Sequence, residues 1–322
     1  AMGAAFLFGA CGATSYEALS ECLSKGTTIN TAFAGLGFAF LFSGLATRIG
    51  VFPFHAWLPD AYEGAPAPGA AFIDGVFKGA LVLALLRLLT APYGLSAADL
   101  PHWNLILQIL AAAGILSGAL VAIVQSGLKR RLAYSSIAHT GFMLAVLAAA
   151  GTGAGAVEGV AALLFYLVFH VAATLGLYAV VLMISRSSGE NPDIKRDLAG
   201  LGYRAPLTAA AFTALLLSYA GAPPTMGFLA RFFILKALLA TSQIWLVVVL
   251  GAGMMIMLYY VLRIIVVMYT PQESEEGSAL QPPTFPVPLI LALSAAAALN
   301  LFFGIFPSGL LDFAMQAASS LF

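Results

Sequence analysis

Charge is what this sequence has least of. Asp, Glu, Lys and Arg together make up 9% of its 322 residues, while hydrophobic residues make up 61%. A soluble domain carries about 25% charged residues, so a water-facing globular surface is excluded and the chain reads as a polytopic membrane protein. Its 14 basic and 14 acidic residues cancel to a formal charge of +0, which gives no electrostatic footprint for nucleic acid. Cysteine is nearly absent: Cys11 and Cys22 match no metal-ligand spacing and read as small inert fillers. There is no Gly-x-Gly-x-x-Gly fingerprint, no P-loop and no cluster-binding cysteine set. No cofactor or metal is therefore expected on this chain, and any redox chemistry coupled to it belongs to another one.

What is present is a series of long apolar runs. A spanning helix needs about 20 apolar residues, and such runs fall near 31–52, 67–91, 103–126, 132–150, 157–185, 205–240, 243–270 and 285–306. The run at 205–240 is too long for one span and is interrupted by Pro223 and Pro224; the stretch 31–58 is interrupted by Pro53 and Pro59. Two Pro-broken spans, separated by an odd number of crossings, are the sequence pointer to an inverted-repeat transporter fold. The opening run to Ala13 is too short to cross and lacks a basic leader. Ser15 to Asn30 reads as a hairpin outside the membrane, and Leu310–Phe322 as a short apolar tail along its surface. The whole is one membrane domain, with 1–91 ending a first repeat, 102–270 forming a second, and 285–322 a C-terminal helix and tail.

Basic residues orient it. Lys129, Arg130, Arg131, Arg186, Lys195, Arg196 and Arg204 fall on one side after alternating crossings, and Lys25 alone on the other. The positive-inside rule places the first set in the cytoplasm or the mitochondrial matrix. The acidic stretch Glu273–Glu276 shares that side. Trp57, Trp103 and Trp245 sit near the ends of runs, as interfacial anchors or as packing residues.

Charges inside the apolar runs carry the functional reading. Lys78 lies about ten residues from either end of its run, too deep to snorkel easily. Arg48, Asp74, Arg231 and Lys236 join it. At about 3 kcal/mol each, five such charges would cost roughly 15 kcal/mol, comparable with a domain's whole stability. They must pair or line a hydrated path. Asp74 and Lys78, four residues apart on one helix, can meet directly. The pair is either a proton relay or a static ion pair. His170, with Tyr166 and Thr174 one turn to either side, is a candidate relay or a packing residue. His139 is flanked by hydroxyls that could satisfy it, and His55 stands at a broken helix end where it could cap carbonyls. Glu158 reads as a solvated charge at a helix start, and Arg87 and Arg263 as snorkelling residues near span ends.

Five blocks carry a family resemblance. Phe52-Pro-Phe-His-Ala-Trp-Leu-Pro-Asp-Ala-Tyr-Glu-Gly-Ala-Pro-Ala-Pro68 and Leu128-Lys-Arg-Arg-Leu-Ala-Tyr-Ser-Ser-Ile-Ala-His-Thr-Gly141 resemble the antiporter-like subunits of respiratory complex I, which are related to Mrp-type cation/proton antiporters and membrane-bound hydrogenases. Asp197–Pro206, Gly221–Phe228 and Tyr259–Tyr269 point to the N-type subunit, subunit 2 in mitochondria. The resemblance covers nearly the whole chain. It implies an all-α antiporter-like helix bundle that begins inside the family's sixth span, so that a separate polypeptide, or a lineage-specific partner, would supply the missing ones.

The resemblance also implies roles. Lys78 matches the family's central lysine, while Arg48 and Arg231 stand where the two broken helices carry lysine. Arginine stays protonated, so both are assigned as fixed charge modulators. Lys78, Asp74, His170 and Lys236 are assigned to proton relay, with His139 and His55 as secondary candidates. The implied partners are the other membrane-arm subunits of complex I and membrane lipid. The implied activity is proton translocation coupled to quinone reduction by NADH in an energy-converting inner membrane, with a mitochondrial host favoured over a bacterial one. A bridging subunit that does not pump, and a cation/proton antiporter, are the rival readings.

Overall fold

The computed structural model describes residues 1–13, 15, 18–19, 21–22, 31–90, 103–150, 156–188, 191–271 and 286–321. Lys25, the Glu273–Glu276 stretch and most of the expected Ser15–Asn30 hairpin lie outside them. Among the described residues the chain is helical, and one isolated bridge, between Gly127 and Asp193, stands in place of any sheet. Among the described residues, seven helices are long and apolar enough to cross a membrane.

Helix α1 (Met2–Cys11) pairs with α2 (Thr31–Ile49). After a turn come α3 (Leu58–Gly64) and α4 (Ala67–Phe72), then a π-helical turn over Ile73–Phe77, then α5 (Lys78–Thr90). The long helices α6 (Trp103–Val124), α7 (Leu128–Ala150) and α8 (Ala156–Ser188) follow. Two short turns, α9 (Ile194–Asp197) and α10 (Leu201–Arg204), lead into α11 (Pro206–Ala220) and α12 (Met226–Ala240). The chain ends with α13 (Ile244–Tyr269), α14 (Val287–Ile305) and α15 (Ser308–Ser319).

Helices α7 and α8 form the centre. Nearly every residue of α7 is buried, as expected of a helix with no polar face. Helix α8 touches α4, α7, α11, α12, α14 and α15. The α6–α7 crossing depends on small side chains. A Cβ at Gly118 would lie 2.5 Å from the Ala138 nitrogen, and one at Gly141 would lie 2.7 Å from the Ile115 nitrogen. Without a hydrophobic drive between helices in lipid, such close backbone approach supplies the dispersion contacts that hold them. The tail helix α15 packs against α8 and buries Ala314 and Ala318.

The two broken spans share one local design. Helix α2 ends at Gly50 with φ +80°, and α11 ends at Gly221 with φ +86°. In each, the glycine and the residue after it donate to the last turn: Val51 N–H to Ala46 O and Ala222 N–H to Leu217 O, both at 2.9 Å. This left-handed cap needs glycine. In each, a proline three residues beyond the glycine, Pro53 or Pro224, follows a cis peptide bond. Pro59, expected as a second breaker, instead opens the first turn of α3, where its missing N–H is harmless.

One expectation fails here, and one left open is decided. Cys11 and Cys22 form a disulfide across the connection after α1, with Cα atoms 5.9 Å apart, and are not inert thiols. No spacing rule announces such a pair. Trp103 packs edge-on between Phe38 and Phe42, with ring centroids 4.7 and 5.0 Å away, so it is a packing residue.

Candidate functional site: a buried polar axis

Asp74, inside the π-helical turn, meets Lys78, the first residue after it. The Lys78 ammonium donates to Asp74 Oδ1 at 2.9 Å, and both side chains are 1% exposed. A π turn inside an α-helix often marks a functional site; here it carries Asp74 and ends at Lys78. Ser136 of α7 sits between them, bonded to the Lys78 ammonium and donating to Asp74 Oδ1. Tyr62 of α3 donates to the same oxygen at 3.2 Å. One buried carboxylate thus gathers a cation and two hydroxyls, as low-dielectric surroundings require.

From Asp74 the polar groups continue inward. His170 of α8 places Nε2 3.1 Å from the Asp74 backbone oxygen and 3.5 Å from Oδ1. The rings of His170 and His139 lie 5.1 Å apart. His139 Nδ1 shares a hydrogen bond of 2.7 Å with the Tyr166 hydroxyl. The hydroxyls flanking His139 in sequence turn elsewhere: Ser135 to the Tyr260 hydroxyl, Ser136 to Asp74, and Thr140 to the Ser136 carbonyl. Beyond His139 the Tyr219 ring lies 3.9 Å away, tilted by 38°.

The Tyr219 backbone oxygen receives a hydrogen bond of 2.6 Å from Arg231, which also donates to Gly227 O at 3.0 Å. Arg231 is fully buried, and no carboxylate pairs with it among the described residues. The faces of Phe142, Phe169 and Tyr166 surround its guanidinium at 5.0, 5.7 and 6.0 Å, an aromatic cage that stabilises a cation. Gly221 keeps this space open, since a Cβ there would lie 2.8 Å from the guanidinium. The break itself is pinned by Ser218, which donates to Asn300 Oδ1 at 2.8 Å and accepts from Gly227 N–H at 3.2 Å. Backbone freed at membrane depth thereby finds partners within the protein.

Several axis atoms are buried and bonded to nothing in the described chain: Asp74 Oδ2, His139 Nε2, His170 Nδ1, Thr174 Oγ1 and the Tyr178 hydroxyl.

The other sequence candidates fall outside this axis. Arg48 is exposed on α2. Lys236 has a 63% exposed side chain and faces Glu158 at 3.6 Å. Of the five charges expected inside the apolar runs, Asp74, Lys78 and Arg231 are buried. His55 is half-buried and stacks on Phe52 at 5.2 Å. The carbonyl at the end of α2 is capped instead by Trp57, whose indole donates to Thr47 O at 2.8 Å. Ser136, Tyr62 and Asn300 were not singled out by sequence, because hydroxyl and amide residues are common in apolar helices, and Tyr166, noted only beside His170, bonds His139 instead. Lys129, counted only as a loop cation, is 2% exposed and donates to Ala65 O at 2.9 Å. Among the described residues no group of acids, histidines and cysteines could hold a metal ion.

Comparison with known proteins adds a second line of argument. Residues 1–256 match the family model described as NADH:quinone oxidoreductase/Mrp antiporter, TM. The NADH-quinone oxidoreductase subunit N of Trichlorobacter lovleyi is 35% identical over 98% of this chain and 62% of its own length. That of Rhodococcus opacus is 37% identical over 98% and 56%. A chain of respiratory complex I from Thermus thermophilus superposes with a TM-score of 0.77 at 29% identity, over 96% of this chain and 64% of that one. A chain of the Mrp complex from Dietzia superposes at 0.84 with 22% identity, over 99% and 64%, and shows the shared fold. The chain therefore spans about three-fifths of the length of the relatives it matches. These relatives are bacterial, and the expected preference for a mitochondrial host finds no support in them.

Proposed function

The chain belongs to the NADH:quinone oxidoreductase/Mrp antiporter transmembrane family, and from that premise we propose that it is a membrane-arm subunit of an NADH:quinone oxidoreductase that conducts protons along the buried axis. The observation that carries this reading is the continuous file from Lys78 and Asp74 through His170 and His139 to Arg231. Four buried polar atoms of these residues, Asp74 Oδ2, His170 Nδ1, His139 Nε2 and Arg231 Nε, find no partner in the described chain. Such atoms are ordinarily bonded to water, and water bridging them would complete a proton wire.

Each residue has a role that its chemistry permits. Lys78 gives up and regains a proton, and Asp74 holds its ammonium in place at 2.9 Å. His170 and His139 pass protons between their ring nitrogens. Arg231 stays charged and acts as a fixed positive charge at the end of the file. Lys236, paired with Glu158 near the surface, is placed to exchange protons with water on the far side. Arg48 shares an exposed face of α2 with Leu36, a face suited to a helix from elsewhere in the assembly; a separate polypeptide bearing such helices is part of this proposal. The redox chemistry and its cofactors reside on partner subunits, and the membrane is the energy-converting cytoplasmic membrane of a bacterium.

One observation favours a second reading, a bridging subunit that moves no protons: Arg231 is buried without a carboxylate and cannot deprotonate. The two readings separate in vesicles holding the assembly isolated with its partners. Lys78→Met should lower the protons moved per NADH oxidised while subunit composition stays intact. An unchanged ratio would establish the bridging role instead.

A further inference from the structure

The basic end of the bundle holds a second group of cations that takes no part in the axis. Arg131 of α7, Lys195 of α9 and Arg263 of α13 line one cavity of about 240 Å³, together with Gln125 and Ser126. No carboxylate is among its lining residues. The acids nearby are engaged in the local fold: Asp193 accepts from the backbone N–H groups of Lys195 and Arg196 at 2.9 and 3.0 Å, and Asp197 pairs with the Arg196 guanidinium at 2.9 Å.

The arginines are built into the site. Arg131 donates to the carbonyls of Ile123, at 3.3 Å, and Gln125 at the end of α6, which fixes its guanidinium. Its Nε–H is buried and finds no acceptor in the described chain. Arg263 lies over the Tyr259 ring at 5.9 Å. Three cations around one small volume repel one another, and an anion with several acceptor oxygens would relieve this through charge-assisted hydrogen bonds.

The rest of the lining is apolar. Val124, 77% exposed, and Val267 border the same cavity, beside a helix α13 that presents most of its surface outward. The positive-inside rule places this end at the cytoplasmic membrane surface, where basic pockets between helices bind acidic headgroups. We infer that this cavity binds a phosphate group: the phosphodiester of an acidic phospholipid headgroup or, by the same chemistry, soluble phosphate.

The test reads lipid retained by the intact assembly after transfer from cardiolipin-containing vesicles into phosphatidylcholine nanodiscs, by native mass spectrometry, with and without added inorganic phosphate. Arg131→Gln with Arg263→Gln should lower retained cardiolipin about tenfold, the factor equivalent to one charge-assisted hydrogen bond. Arg87→Gln, an exposed arginine of α5 outside the cavity, should leave it unchanged. Retention despite inorganic phosphate identifies the lipid as the source; displacement by phosphate identifies a soluble anion in the same site. Equal retention by wild type and the double variant, with no effect of phosphate, overturns the inference. Should the double variant fail to assemble, Lys195→Gln, an exposed side chain, takes its place with the same outcomes. The result does not depend on proton conduction.

Discussion

At the scale of single residues, Ser136 sets the geometry of the buried pair. Its hydroxyl touches both the Lys78 ammonium and Asp74 Oδ1, so Ser136→Ala leaves two charged groups each short of a partner. The expected cost is about 1–3 kcal/mol, read as a lower thermal midpoint of the isolated assembly; an unchanged midpoint would mean that the hydroxyl is dispensable. Lys78 and Asp74 were legible in the sequence because charge inside an apolar run has few explanations. Ser136 and Tyr62 were not, since a serine or tyrosine in a membrane helix is unremarkable until its partner is known. Arg48 and Lys236 show the converse error. Apolar neighbours in sequence suggested burial, but each occupies the outward face of its helix, a distinction that run length does not encode.

At the scale of helices, prolines and small residues do most of the specifying. Gly50-Val-Phe-Pro53 and Gly221-Ala-Pro-Pro224 end their helices by the same left-handed cap, and both breaks could be read from proline alone. The α6–α7 seam could not, because glycine pairing between helices appears only when both backbones are in place. Gly118→Leu should separate that seam, since its side chain would start 2.5 Å from the Ala138 nitrogen. Overpacking of this kind costs about 1–3 kcal/mol or more, and a lower yield of intact assembly on native gels would register it. The Cys11–Cys22 bridge is a covalent clamp at the outer end of the α1–α2 pair. Alkylation without reductant should leave both cysteines unmodified and alkylation after reduction should label both. Labelling without reductant would remove the clamp. The bridge also fits the orientation drawn from basic residues, since it lies opposite the basic end, on the side where disulfides persist.

At the scale of the molecule, α7 and α8 hold the axis between them while the broken spans contribute Arg231 from one side and Tyr62 from beyond the other break. The all-helical class and the membrane setting follow from composition. The convergence of Asp74, His170 and His139 does not, because it depends on how α4, α7 and α8 cross. The central claim is that Lys78 works by exchanging its proton and not merely by being charged. Lys78→Arg tests this most directly, because arginine preserves a positive charge beside Asp74 yet stays protonated. The measurement is the number of protons translocated per NADH oxidised, in vesicles containing the intact assembly. A clear fall in that ratio is the predicted result; a ratio equal to wild type would show that Lys78 is a static member of an ion pair and that protons take another route.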